Sequence, residues 1–191
     1  MNSTIDLSTV ALETNSPLWQ ISEVGGEPVL QVIGNEDEDQ IGGKVALIGE
    51  VKHNYRMQTE MFFAGHHMTQ AAAGWFGFVM RAQDVLNYEA VWFMPNAESG
   101  STAAYVPVAH GIVPWWTEAY ASQEKGAAAI PTKSWFRASV DVVEDEFTLY
   151  VKEQVVFRKK LTYHLSAGRA GFYVGTATDA MFRRVTVEDL P

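Results

Sequence analysis

Three residues well apart in the chain carry groups able to move protons or grip hydroxyls: Glu60 in MQTEMFF, Arg81 in GFVMR and Glu89 in NYEAVWF. Two carboxylates near a guanidinium can act as a general acid/base pair, with one carboxyl tuned away from the other. In that use Glu60 and Glu89 are the catalytic candidates. The same three groups can instead hydrogen-bond the hydroxyls of a sugar, or form a cross-strand ion cluster on a solvated face. All three uses stay open on sequence alone. Consecutive strands lie about 4.8 Å apart, so the residues can converge, but a one-residue register slip would separate them.

A second group is aromatic: Trp75, Trp92, Tyr105, Trp115, Trp116 and Tyr120. Sugars present C–H faces that pack on flat rings. Adjacent strand residues point opposite ways, so one of Trp115 and Trp116 is expected to face outward, and Trp116 and Tyr105 are the candidate platforms. Trp75 and Trp92 are read as core, as are Trp19 and Trp135. His66-His67 is read as a loop pair, from which His66 can reach a ligand if it lines the site. No HxH, HxxxH or HExxH spacing occurs, so no metal ligand is assigned. The acidic run Glu36-Asp37-Glu38-Asp39 offers oxygen ligands for Ca²⁺, though without the spacing of an EF-hand loop. Calcium is therefore the one cofactor entertained, and an ordinary solvated loop is the alternative.

The totals narrow the partners. The chain has 23 acidic and 14 basic residues, a formal charge of −9. This argues against a nucleic-acid backbone, which requires a basic stripe, and against an anionic membrane surface. No cysteine is present, so disulfides and thiolate metal sites are excluded. No apolar run reaches the ~20 residues of a membrane helix, and the N-terminus lacks the basic and apolar regions of a signal peptide. No nucleotide-binding or nucleophile-elbow motif occurs.

The elements that must position these residues are strands. In SWFRASVDVV, Phe136, Ala138, Val140 and Val142 share one face, and Arg137, Ser139 and Asp141 the other. Phe147, Leu149 and Val151 repeat the period after an acidic turn. Tyr55, Met57, Thr59, Met61 and Phe63 alternate with Arg56, Gln58 and Glu60. LWQISEV and PVLQVI flank Gly25-Gly26, a hairpin signal. WFGFVMR and NYEAVWFM form a long hairpin. Residues 95–133 show little periodicity and are expected as loops, and residues 1–16 as a loose lead-in or an edge strand. The pattern predicts an all-β, two-sheet antiparallel sandwich in one domain.

The tryptophan-led strand at Trp135, the strand flanked by Gly171 and Gly175, and the closing strand from Phe182 to Val187 resemble the concanavalin A-like lectin/glucanase superfamily, within it the laminin-G-like domains. The resemblance spans roughly residues 18–190. It implies a jelly roll with a concave sheet and a carbohydrate ligand on that face. A narrower similarity is to 3-keto-disaccharide hydrolase domains, which carry Glu, Arg and Glu at the places of Glu60, Arg81 and Glu89. That family continues with a glutamine and then an acid or amide, where this chain has Val91, Phe93 and Met94. The expected function is carbohydrate binding by Glu60, Arg81 and Glu89. The alternatives are a glycoside-acting hydrolase and a non-catalytic protein-interaction domain.

Overall fold

The structure is a computed structural model that describes residues 2–34, 43–67, 74–95, 102–112 and 125–191. Trp115, Trp116, Tyr120, the acidic run 35–39 and the Ala-rich stretch after His67 lie outside the described residues. The described residues contain strands and turns and no helix. The strands are β1 (Asn2–Thr4), β2 (Glu13–Thr14), β3 (Trp19–Val24), β4 (Glu27–Val32), β5 (Lys44–Lys52), β6 (Tyr55–His66), β7 (Phe76–Asp84) and β8 (Asn87–Met94). They continue as β9 (Thr102–Val108), β10 (Lys125–Ala127), β11 (Phe136–Val143), β12 (Glu146–Val151), β13 (Gln154–Lys160), β14 (Gly168–Val174) and β15 (Thr178–Asp189).

They form two antiparallel sheets. One is eight-stranded and runs β13-β12-β11-β6-β15-β4-β3, with β1 also paired to β15. The other is seven-stranded and runs β10-β9-β8-β7-β14-β5-β2. The non-consecutive neighbours are the crossovers of a jelly-roll sandwich, the concanavalin A-like architecture expected from the sequence.

Period-two alternation decides what each sheet buries. From the eight-stranded sheet, Met57, Met61, Phe63, Phe136, Val140, Leu149 and Phe182 point into the core. From the seven-stranded sheet, Phe76, Phe78, Val91, Phe93 and Phe172 meet them. The Phe172 and Phe182 rings stack across the interface at 4.2 Å between centroids. Each fully buried side chain of this size contributes about 1.5–3 kcal/mol of burial free energy. Gly25 and Gly26 close the β3–β4 hairpin with φ of +63° and +82°, a left-handed turn open to glycine at no steric cost.

Three expectations need correction. The segment expected as irregular contains β9, a seven-residue strand buried at every position. Its run TAAYVPV is apolar on both faces, so it shows no alternation. Of the two readings of residues 1–16, the edge strand holds and the loose lead-in does not: β1 pairs with β15, β2 pairs with β5 at the end of its sheet, and Leu7 is buried in the core. Trp135 is not a core residue. Phe136 points inward, so its neighbour points outward, and Trp135 packs against Phe62 and Arg183 on the outer face.

Candidate functional site

The three residues expected to converge lie on different sheets and different faces. Glu89 on β8 shares the inward face with Val91 and Phe93 and is fully buried. Its Oε2 accepts the Tyr105 hydroxyl at 2.6 Å, and its Oε1 accepts the backbone N–H groups of Tyr163 and His164 at 2.8 and 2.6 Å. The carboxylate thus fastens the β13–β14 loop to the seven-stranded sheet. Tyr105 is buried with it. Burial, reinforced by the charge of Glu89, pushes its phenol well above the ordinary tyrosine value.

Arg81 is also fully buried. It sits in a β-bulge with φ of 51°, where β7 carries extra residues against β14 and β8. The bulge turns its side chain away from the outward face that parity with Val79 would give it. Its guanidinium donates to the Glu144 carbonyl at 2.7 Å and meets His53 Nδ1 at 3.1 Å, and its backbone N–H donates to the Tyr55 hydroxyl. Gly168 makes room for the bulge, since a Cβ there would stand 2.4 Å from the Arg81 carbonyl carbon. Burial pushes the Tyr55 phenol up to about 12. Arg81, Glu89 and Tyr105 therefore form part of the sandwich interior: all three are buried, Glu89 is spent on the Tyr105 hydroxyl and two backbone N–H groups, and Arg81 on the Glu144 carbonyl and His53.

Glu60 is the member left facing outward. It stands on β6 in register with Arg137 on β11 and Arg183 on β15. Two residues along, Gln58 is flanked by Ser139 and Thr186, and Thr186 is paired in turn with Thr4. Two further along, Arg56 is flanked by Asp141 and Glu188. The outer face thus carries three parallel rows: a carboxylate between guanidinia, a neutral row of hydroxyls and one amide, and a guanidinium between carboxylates. Ser139 pairs with Tyr150 on β12, so the neutral row runs Thr4–Thr186–Gln58–Ser139–Tyr150. Four interstrand steps make it about 19 Å long.

A second bulge equips this face. Between Arg183 and Thr186, β15 carries one residue more than β6, and Arg184 has φ of 52°. Arg183 and Arg184 consequently both face outward, while Val185 returns to the core. Glu60 accepts Arg183 Nε at 2.8 Å and Arg184 at 3.0 Å. Glu27 closes the ring, 3.1 Å from Arg183 and 2.5 Å from Arg184. The Arg183 guanidinium lies over the Trp135 ring at 4.1 Å. Burial pushes the Glu60 carboxyl upward, but the hydrogen bonds and charges of Arg183 and Arg184 outweigh it and hold the group below its ordinary value. At the other end, Arg56 grips both oxygens of Asp141 at 2.6 Å. Thr4, Gln58, Thr59, Glu60, Arg137, Arg184 and Thr186 line a depression of about 300 Å³ above the neutral row.

The remaining candidates are elsewhere. His66 ends β6, six residues and about 20 Å from Glu60. Its neighbour His67 pairs with Asp179 at 3.0 Å. No group of three metal-ligating side chains occurs among the described residues. The outward face of the seven-stranded sheet carries Val45, Leu47, Val79, Ala90, Trp92, Val106 and Tyr173, a second buried apolar cluster. The residues that sequence reasoning missed are Arg183, Arg184 and Trp135. Trp135, read as core, shares the parity of Arg137, and that signal could have placed it outward; nothing in the sequence marks the bulge at Arg184.

No family model and no curated sequence matches the chain. Solved structures do. Carbohydrate-binding module CBM66 from Bacillus subtilis shares 13% identity over 93% of this chain and 95% of that one, with a TM-score of 0.67. A prokaryotic β-1,3-1,4-glucanase (lichenase) derived from a mouse hindgut metagenome shares 8% identity over 100% of both chains, with a TM-score of 0.66. The carbohydrate recognition domain of Emp47p shares 13% identity over 93% of this chain and 88% of that one, with a TM-score of 0.58. At these identities the similarity is one of fold, and the fold of this chain is the concanavalin A-like jelly roll.

Proposed function

We propose that this protein is a carbohydrate-binding domain whose ligand lies on the outer face of the eight-stranded sheet. The observation that carries the reading is the neutral row Thr4–Thr186–Gln58–Ser139, set between two charged triplets and beneath a depression of about 300 Å³. Hydroxyl and amide groups at strand spacing exchange donors and acceptors with sugar hydroxyls, and the Glu60 and Arg137 side chains add charge-assisted bonds. Trp135 stands beyond the Glu60 triplet and holds the Arg183 guanidinium flat against its ring at 4.1 Å. A jelly roll hosts many functions, so the reading rests on these residues and not on the neighbours' names.

Binding is favoured over glycoside hydrolysis for a chemical reason. A general acid requires a carboxyl lifted toward neutrality. Glu60 is held low by two arginines, and Glu89 is enclosed. The test is a glycan array followed by calorimetry on the best binder, with and without chelator. Glu60→Ala and Gln58→Ala should each weaken binding about tenfold, while Glu89→Gln leaves it unchanged. Binding indifferent to both outer-face variants would overturn the assignment of the face. Release of reducing ends from a bound glycan would overturn the non-catalytic reading.

A further inference from the structure

The charge around the depression is not the charge of the protein. The chain as a whole carries −9. The residues lining the depression include two guanidinia, Arg137 and Arg184, against one carboxylate, Glu60. That carboxylate is already committed, since both of its oxygens accept from Arg183 and Arg184. Arg184 is in turn shared with Glu27. Arg137 is the less committed of the two. Among the described residues its guanidinium makes one ion pair, from Nη1 to Glu153 at 3.2 Å, and that carboxylate is 79% exposed. An exposed pair of this kind is worth little and exchanges readily for another anion.

From this we infer that the glycan bound on the outer face is acidic, with a uronic acid carboxylate received by Arg137 at the mouth of the depression while its hydroxyls lie along Gln58 and Thr186. The inference rests on the carbohydrate-binding reading and narrows it to a ligand class. Three features support it together. Among the described residues Arg137 is held only by an exposed pair with Glu153 in an otherwise acidic protein, which makes its guanidinium the attractive place for an anion. Arg137 stands in register with Glu60, so the floor fixes the distance between the anion and the ring of charges. A planar guanidinium matches a carboxylate with two parallel bonds, which a neutral hydroxyl cannot accept in the same way.

The experiment compares three probes by calorimetry at low and moderate salt: oligogalacturonate, the same oligomer fully methyl-esterified, and a neutral galacto-oligosaccharide of equal length. The acidic oligomer should bind about tenfold tighter than its ester. The advantage should shrink as salt rises. Arg137→Gln should bring the affinity for the acid down to that for the ester, while the fold, followed by circular dichroism, persists. Equal binding of acid and ester, or a preference for the acid that survives Arg137→Gln, overturns this inference and leaves carbohydrate binding standing. Binding of none of the three, where the glycan array finds a neutral ligand, also overturns it. Silence of both the array and the three probes overturns the inference together with the reading beneath it.

Discussion

Glu60 and Glu89 are the same residue type, one on β6 and the other on β8. Their surroundings nevertheless give them opposite work. Glu89 is enclosed, and its partners are two backbone N–H groups and a phenol that cannot leave without opening the sandwich. Glu60 keeps 16% of its side chain exposed, and its partners are guanidinia on flexible stems. A carboxylate bonded to backbone is part of the architecture. One bonded to side chains on the outer face stays at the surface, within reach of water. Residue identity alone does not separate these cases; the side of the sheet does.

The difference can be broken in measurable ways. The largest expected effect is on Glu89→Ala, which leaves two amide donors without an acceptor and strips the Tyr105 hydroxyl of its bond to the carboxylate. It should cost about 3–5 kcal/mol in urea unfolding. Glu89→Gln keeps an acceptor for the loop amides and should cost about 1 kcal/mol. If Glu60→Ala destabilises as much as Glu89→Ala, the contrast drawn here is wrong. Tyr105→Phe comes next. It removes the donor to Glu89 and the acceptor for the Thr162 N–H, which is 2.8 Å away, and should cost about 1–2 kcal/mol. Hydrogen exchange should show the β13–β14 loop opening first in that variant.

The smallest effect concerns pH. The Glu60 carboxyl is depressed in the folded state, so its ionised form is favoured by folding. Its stabilisation is then complete above the ordinary carboxylate value of 4.5 and is lost as pH falls through the lower folded value. Wild type and Glu60→Gln should differ by no more than about 1 kcal/mol at neutral pH, and thermal melts should converge in acid. A difference that grows below pH 4.5 would reverse the sign and refute the ring with Arg183 and Arg184.

Much of the fold was legible because one face of the eight-stranded sheet meets water. Met57, Met61, Val140 and Val142 alternate with charged neighbours, and the alternation is a direct record of that solvation. The seven-stranded sheet is buried on both faces, so β9 carries no such record and read as irregular. The site was half legible for the same reason. The alternation placed Glu60 outward correctly, but Glu89 was assigned to the same surface although it shares a face with Val91 and Phe93. The two bulges were invisible. Each inverts the parity of one arginine, sending Arg81 in and Arg184 out, and no local composition announces an extra residue in a strand.

The pairing of β1 with β15 has a mechanical consequence. Asn2 lies opposite Glu188, so the two ends of the chain emerge side by side from neighbouring antiparallel strands. Tension applied through both ends would not shear that pair but peel it, one bond at a time, from Asn2 toward Thr4. The strand it exposes, β15, stays held along its other edge by β6. Such a pull would therefore be taken first by the three residues of β1, loosening Thr4 at the margin of the Gln58 row before any force reached the core.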